Sequence, residues 1–429
     1  MCKTCNTGIA RLAQACFGYI LLTVLLSSAA ALAQEEQPLA PAIEELSTWL
    51  SSNSLTHDSI PQLLNEAFAA SPLSTADAEA AANLLWQNRL HFLRTERAAE
   101  MDARLIKIDN MSMPFWFKVF GDEPPGGRSL FISMHGGGGA PAAVNDGQYE
   151  NQKKLYKPEE GVYLVPRAPT NSWNLWHEKH IDIFFDRLIT NMIAFQNVNP
   201  DRVYLMGYSA GGDGVYQLAP RMADRWAAAS MMAGHPNETT PDGLRNIAFA
   251  IHMGEKDSAY NRNRIAKEWK DQLATLRQND STGYEHVVQL HSGRGHWMNL
   301  DDAVAVPWMA QFSRRRFPKR VVWKSDDVIH DRLYWLQASP QTNSARAKVV
   351  AECEGNTVRF LESTLNQVDV LIHDDLVDMN ETISVVSDDS TLFEARVPRT
   401  ISVIAQSLLD RDEPGSIAYG RISVQLSPE

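Results

Sequence analysis

The chain has 429 residues, of which 44% are hydrophobic and 21% are charged, a composition typical of globular proteins that excludes a disordered chain and a small disulfide-stapled scaffold. This length predicts two or three domains. With 40 basic and 52 acidic residues the net charge is -12, which argues against a nucleic-acid partner because such binding requires a basic face.

The first residues have the pattern of an export signal. Lys3 and Arg11 precede an apolar stretch over residues 15–26, and Ala31-Leu32-Ala33 follows it. We therefore predict a signal peptide over residues 1–33 and export to the periplasm or the extracellular space, with a retained membrane anchor as the alternative. Once this segment is removed, Cys353 is the one cysteine that remains in the sequence. No run after residue 33 is long and apolar enough for stable membrane insertion.

The rest of the chain divides by its hydrophobic pattern into three predicted regions. Residues 34–104 have helical periodicity, and residues 320–429 contain short β-rich runs such as DRLYWLQ and ISVIAQ, typical of an accessory β-rich domain. Between them, residues 105–319 alternate strands with helices, which predicts an α/β fold with a doubly wound, mostly parallel sheet. The segment between the strands SLFISM and GVYLVP is predicted to be a loop.

A nucleophile elbow is predicted where the strand RVYLM enters Gly207-Tyr208-Ser209-Ala210-Gly211 and an apolar helix follows. The glycines of a G-x-S-x-G motif allow a sharp turn that presents the serine at the top of a sheet. Ser209 is therefore the candidate nucleophile, and a serine that merely caps the helix is the alternative.

Four glycines follow His135 at the end of the strand SLFISM. Consecutive glycines let backbone N–H groups point at a developing negative charge without obstruction from side chains. Gly137, Gly138 and Ala210 are the predicted donors of an oxyanion hole.

A serine nucleophile needs a base and an orienting carboxylate, which follow it in chain order in this kind of sheet. Asp257 and His296 lie in loops after two later, successive strands, AFAIHMG and HVVQLH, and are assigned to these roles. The alternative carboxylates and histidines are Glu255, Asp301, Asp302, His252 and His291, whereas Asp213 is judged too close to the elbow.

The motifs HGGGG, GYSAGG, GEKD and GRGHW, in this order, resemble those of the α/β-hydrolase superfamily. More narrowly, they are similar to secreted bacterial esterases of the poly(3-hydroxybutyrate) depolymerase and feruloyl esterase branch. The resemblance covers about residues 105–316. It implies hydrolysis of a small-molecule or polymeric ester through an acyl-enzyme, without a cofactor.

The residues of the pocket are less well defined by the sequence. Trp173, Trp176 and His235 follow predicted strands and Trp297 follows His296, so all four are candidates for the substrate pocket, with packing beneath a loop as the alternative. No metal site is predicted, because the histidines lack the H-E-x-x-H spacing.

Two other functions remain open at this level. One is a serine peptidase resembling the prolyl oligopeptidase group, although no propeller-sized segment precedes the motifs. The other is a non-catalytic binding protein that keeps the hydrolase scaffold and uses its β-rich region for recognition.

Overall fold

Four helices open the described part of the chain. The computed structural model describes residues 40–339 and 343–426, so the predicted signal peptide lies outside the described residues. Ser74 begins the longest of these helices, where its Oγ accepts a hydrogen bond of 3.1 Å from the amide of Asp77. The helices are α1 (Pro41–Ser52), α2 (Ile60–Asn65), α3 (Thr75–Glu96) and α4 (Ala98–Ala103).

Eight strands then form one large sheet. The strands are β1 (Leu105–Ile108), β2 (Met111–Phe120), β3 (Arg128–Met134), β4 (Gly161–Pro166), β5 (Val198–Tyr208), β6 (Ala228–Met232), β7 (Ala248–Gly254) and β8 (His286–His291). Their order across the sheet is β1-β2-β4-β3-β5-β6-β7-β8. β2 runs antiparallel to both of its neighbours, and the strands from β4 to β8 pair in parallel.

The inner strands are buried because helices cover both faces of the sheet. Every residue of β4, β6 and β7 is buried. The covering helices are α5 (Ala142–Leu155), α6 (Lys179–Gln196), α7 (Ala210–Arg221), α8 (Arg262–Asn279) and α9 (Ala305–Met309). This strand order with its single reversed strand is the α/β-hydrolase fold, so the predicted fold class is confirmed.

Helix α5 was not expected, and the predicted loop between β3 and β4 is wrong. The sequence of α5, AAVNDGQYENQKKL, buries only Asn145 and Gln152 and has no apolar stripe. Helices were predicted from the helical spacing of apolar residues, and a polar helix such as α5 has no such spacing.

The C-terminal part contains two further sheets. A four-stranded sheet has the order β10-β11-β14-β17 and a five-stranded sheet has the order β16-β15-β13-β12-β9. The strands are β9 (Arg320–Lys324), β10 (Arg332–Leu333), β11 (Leu336–Ala338), β12 (Lys348–Glu354), β13 (Thr357–Ser363), β14 (Gln367–Ile372), β15 (Ile383–Ser387), β16 (Ser390–Ala395) and β17 (Gly420–Gln425). The predicted β-rich character of this region is confirmed.

Two details of this region were predicted incorrectly. The run ISVIAQ forms not a strand but the start of α10 (Ile401–Arg411), because Thr400 caps it and Ile401, Ile404 and Leu408 bury one face at helical spacing. The run DRLYWLQ does not form one strand either. It is a hairpin, in which Leu333 of β10 pairs with Leu336 of β11.

The N-terminal helices and the C-terminal region pack together. Arg89 and Arg97 of the N-terminal segment donate hydrogen bonds to Asp412, just after α10, at 2.7 and 3.1 Å. The described residues belong to one compact unit, and the proposed boundaries at 104 and 319 stay predictions. Across residues 40–339 and 343–426, no helix has both the length and the apolarity that a membrane span requires.

Candidate active site

Ser209 occupies the turn between β5 and α7. Its backbone has φ 58° and ψ -120°, a conformation that L-residues rarely adopt, and its amide donates to the carbonyl of Met232 at 2.9 Å. The turn needs small neighbours, because a Cβ at Gly207 would lie 2.2 Å from the carbonyl oxygen of Gly211. Strain of this kind concentrates at functional sites and presents the Ser209 side chain above the sheet.

The structure brings Asp257 and His296 to this serine. Nε2 of His296 lies 2.9 Å from Oγ of Ser209, and Nδ1 lies 2.6 Å from Oδ2 of Asp257. Asp257 is 3% exposed, in the loop after β7, and His296 lies in the loop after β8. Because a carboxylate can only accept here, Nδ1 carries the proton and Nε2 is left to accept the serine proton.

The alternative histidines and carboxylates have other partners. His252 and His291 stack on each other with Nδ1 and Nε2 3.1 Å apart, and burial lowers the pKa of His252 to about 3. Glu255 accepts from the amide of Gly293, Asp301 pairs with Arg294, and Asp302 accepts from the Tyr156 hydroxyl.

Asp213, one turn into α7, is not part of the Ser209–His296–Asp257 chain of hydrogen bonds. Its Oδ1 accepts from the amide of His235 at 2.6 Å. Burial raises the pKa of Asp213 to about 6.

The glycine loop after β3 differs in one respect from the prediction. The amide of Gly138 donates to Oδ1 of Asn145 at 2.8 Å, so this N–H is directed at a side chain of α5 and not at the space above Ser209. Gly137 and Ala210 remain the candidate oxyanion donors. Gly137 has φ +111°, a conformation that favours glycine.

His135 fixes the start of this loop. It is fully buried, its Nδ1–H donates to the carbonyl of Gly136 at 2.6 Å, and its Nε2 accepts from the amide of Ala168 at 3.2 Å. Burial lowers the pKa of His135 to about 4. The neutral ring therefore joins the glycine loop to the loop after β4.

Two cavities meet at Ser209 and Gly137. The first has a volume of about 630 Å³ and is lined by His296, Trp297, Tyr208, Gly136 and residues of α5, namely Gln148, Asn151, Gln152, Lys154 and Leu155. The second has a volume of about 310 Å³ and is lined by Gly138, Ala210, Trp173, Asp213, His235, Asn237, Tyr260 and Arg262. A substrate that reacts with Ser209 can thus extend in two directions.

Three of the four predicted pocket residues line a cavity. Trp297 borders the first, and Trp173 and His235 border the second. Trp176 does not, so this prediction is wrong: the ring is fully buried and its Nε1–H donates to the carbonyl of His135 at 2.9 Å. Trp176 packs beneath the glycine loop, which agrees with the alternative given for these residues.

Two groups of cavity residues were not predicted from the sequence: the side chains of α5, and Tyr260 with Arg262. The α5 residues lie in a segment that was predicted to be a loop, and they have no motif that would indicate a site. Tyr260 and Arg262 follow Asp257 closely in the chain, and the loops at the carboxyl ends of parallel strands are where ligands bind, so these two could have been found.

One carboxylate cluster elsewhere could in principle hold a cation. Glu238, Asp326 and Asp327 have oxygens within 4.8 Å of one another in the described part of the chain. None of the three lines either cavity at Ser209.

No family model and no curated protein matches this sequence. Among solved structures, the chain is similar to a thermostable esterase, with 17% identity, 49% of this chain and 62% of that chain covered, and a TM-score of 0.38. It is also similar to esterase PE8 (16% identity, 47% of this chain and 99% of that chain, TM-score 0.33). A third is the feruloyl esterase module from Clostridium thermocellum complexed with sinapinate (15% identity, 47% and 83%, TM-score 0.35).

Proposed function

We propose that the protein is a serine hydrolase that cleaves carboxylic esters through an acyl-enzyme. The observation that carries this proposal is the continuous chain of hydrogen bonds from Ser209 through His296 to Asp257, at 2.9 and 2.6 Å. A serine hydroxyl is a weak nucleophile by itself, and this arrangement supplies the base that activates it.

In the proposed reaction, Oγ of Ser209 attacks the ester carbonyl while Nε2 of His296 takes the hydroxyl proton. Asp257 holds the imidazole in the required tautomer and stabilises its positive charge. The amides of Gly137 and Ala210 stabilise the negative oxygen of the tetrahedral intermediate. The same proton then passes from His296 to the leaving alkoxide oxygen, and water, activated by His296, releases the acid from Ser209.

Among the described residues, neither the N-terminal helices nor the C-terminal sheets line the site. Every described residue that borders the two cavities lies between Gly136 and Trp297 in the sequence. The N-terminal helices and the C-terminal sheets thus leave both directions from Ser209 open, which is compatible with a small ester or with the end of a polymer. This supports an esterase over a peptidase whose site lies beneath a separate domain.

The direct test is labelling with a fluorophosphonate followed by mass spectrometry. We expect the adduct at Ser209, and hydrolysis of 4-nitrophenyl esters that falls by roughly four to six orders of magnitude in Ser209→Ala. The exposed Ser281 offers a matched control, since Ser281→Ala should retain full activity. Retained turnover in folded Ser209→Ala, or a labelled residue other than Ser209, would refute the assignment.

A parallel assay separates esters from peptides. We expect the aryl esters to be cleaved and matched peptide anilides to be inert. Faster cleavage of the anilides than of the esters would favour the peptidase function. Failure of folded protein both to react with the probe and to cleave either substrate would favour the binding protein.

We also propose that the protein is exported and that processing removes residues 1–33. The proposal rests on the charged, apolar and small-residue segments of the sequence. Sequencing the N-terminus of protein recovered from a bacterial host should give Gln34 as the first residue. A retained Met1 would favour the membrane anchor.

A further inference from the structure

Arg262 stands in an unusual environment in the second cavity. It begins helix α8 and its side chain is 11% exposed. Its guanidinium lies 4.8 Å from the centroid of the Tyr260 ring, and both residues border the cavity beside Ser209. It is the one permanent cation among the described residues that line this cavity.

The guanidinium has no hydrogen-bond partner among residues 40–339 and 343–426. Its Nε is buried and unpaired, and the nearest carboxylate oxygen, Oδ1 of Asp257, is 3.8 Å from Nη1, beyond hydrogen-bond distance. Buried polar groups in proteins nearly always have partners. An arginine left in this state at a reactive serine has its donors available for a ligand.

The two cavities have different positions relative to the proposed reaction. His296 must deliver its proton to the leaving oxygen, and His296 borders the first cavity only. The alcohol portion of an ester therefore fits the first cavity. The acyl portion then extends into the second cavity, towards Arg262.

We propose that the second cavity is an acyl subsite for a short acyl chain that ends in a carboxylate, held by Arg262. The inference rests on the proposed ester hydrolysis and names its substrate class: half-esters of short dicarboxylic acids. A planar guanidinium pairs with a carboxylate through two parallel hydrogen bonds, and rotation of the side chain over Tyr260 would present its donors to the cavity.

The other ionisable groups of the cavity act on an anion in different ways. Burial lowers the pKa of His235, so this ring favours its neutral form. Burial raises the pKa of Asp213 to about 6, so Asp213 is neutral at lower pH, and above pH 6 its negative charge opposes an anion that Arg262 attracts. Asp257 is paired with His296. The volume of about 310 Å³ suits a small group, and the net charge of -12 disfavours a polyanionic chain.

The test compares paired substrates. The 4-nitrophenyl half-esters of succinic, glutaric and adipic acid are each matched with the same compound whose free carboxylate is methylated. We expect the wild-type enzyme to have a higher kcat/KM for at least one charged member than for its methylated partner. In Arg262→Met this charged-to-methylated ratio should fall by about 10- to 100-fold, the range for a hydrogen bond to a charged group.

Arg264 provides the matched control on the same helix. Its side chain is 59% exposed and pairs with Glu268, so Arg264→Met should leave the ratio unchanged. An equal fall for both members of a pair in Arg262→Met would mean that Arg262 only supports Asp257, and would overturn the inference. A wild-type enzyme without a preference for any charged member would overturn it as well.

A second measurement does not depend on the folding of a variant. Free succinate, glutarate or adipate should inhibit wild-type hydrolysis of a neutral 4-nitrophenyl ester competitively, and the corresponding dimethyl esters should inhibit less. Equal or absent inhibition by the free acids would contradict the inference. Hydrolysis of the neutral ester reports separately on the proposed function: if it proceeds without the charge preference, only the inference fails, and if no ester is cleaved, both fail.

Discussion

The hydroxyl of Tyr208 joins the nucleophile elbow to the loop that carries the candidate base. It donates to the carbonyl of His296 at 2.6 Å and accepts from the amide of Met298 at 2.9 Å. Burial raises the pKa of Tyr208, so the hydroxyl keeps its proton. Tyr208, which precedes Ser209, thus holds the His296 loop through the backbone of both His296 and Met298.

Tyr208→Phe should therefore reduce kcat more than it raises KM. Without the hydroxyl, the loop loses two hydrogen bonds and His296 is held less accurately, for which we expect about a 10-fold loss of kcat. Steady-state kinetics on a neutral aryl ester measure this. Tyr419→Phe, in the C-terminal region, is the control. An unchanged kcat in Tyr208→Phe would show that the loop is held by other contacts.

Asn145→Ala should impair the glycine loop. The Asn145 side chain is fully buried, accepts from Gly138 at 2.8 Å, and donates to the carbonyl of Ala140 at 3.1 Å and to Oδ1 of Asn171 at 3.0 Å. Its removal leaves buried groups unpaired, which should lower the free energy of unfolding by about 1–3 kcal/mol. Activity should fall as well, because Gly137 adjoins the released Gly138. Urea unfolding and kcat measurements together test this, and wild-type values of both would contradict it.

His135 should make the protein sensitive to mild acid. Its pKa is lowered by burial from 6.5 to about 4, so its contribution to stability is complete above pH 6.5 and is lost as the pH falls towards 4. Between about pH 7.5 and pH 5, this one residue should account for about 2 kcal/mol of lost stability. Denaturant unfolding of the wild type and of His135→Gln at both pH values measures it. The acid-induced loss should be smaller in the variant, and an equal loss in both would exclude His135 as a source.

Asp213 should have the opposite effect on the pH dependence. Burial raises its pKa from 3.8 to about 6, so the stability gained from the protonated form is complete below pH 3.8 and is lost as the pH rises through 6. Asp213→Asn keeps the oxygen that accepts from His235 and removes the charge. Relative to the wild type, the variant should gain about 2 kcal/mol between about pH 4 and pH 7.5. The same relative stability at both pH values would show that Asp213 is not shifted.

Glu413→Ala should be strongly destabilising, because Glu413 is 1% exposed and accepts from the buried Arg314 at 3.0 and 2.9 Å. Removing one member of a buried ion pair costs about 3–5 kcal/mol when the other charge is left uncompensated. Because Arg314 keeps Asp201 as a partner at 3.1 Å, we expect a loss at the lower end of that range. The exposed pair of Glu381 and Arg396 provides the comparison, and Glu381→Ala should cost less than about 1 kcal/mol. Thermal or urea unfolding distinguishes the two, and similar small losses would contradict the expectation.

Local sequence predicted the scaffold well. The alternation of apolar strands and helices between residues 105 and 319 predicted the parallel sheet, because a strand covered on both faces must be apolar throughout its length. The loop motifs also identified Ser209, Asp257 and His296, and the fold places His296 within hydrogen-bond distance of both Ser209 and Asp257. The apolar strands and the glycine motifs are properties of short segments, because a tight turn needs glycine whatever the rest of the chain does.

Helices with little apolar periodicity were harder to predict. Helix α5 presents Gln148 and Leu155 to the first cavity, yet its polar sequence resembles a loop. Helix α10 was mistaken for a strand because Ile401, Val403 and Ile404 favour strands by composition, whereas its burial pattern and the Thr400 cap favour a helix.

The sequence by itself determined the α/β-hydrolase scaffold and the residues that meet above its strands, because hydrophobic period and glycine turns are properties of short segments. Only the tertiary structure decided which donors are free at the site. Gly138 is directed at Asn145, Tyr208 holds the His296 loop, and Arg262, beside Ser209, has no hydrogen-bond partner in the described part of the chain. Whether a polar group is paired depends on atoms far apart in the chain, so no local pattern encodes it.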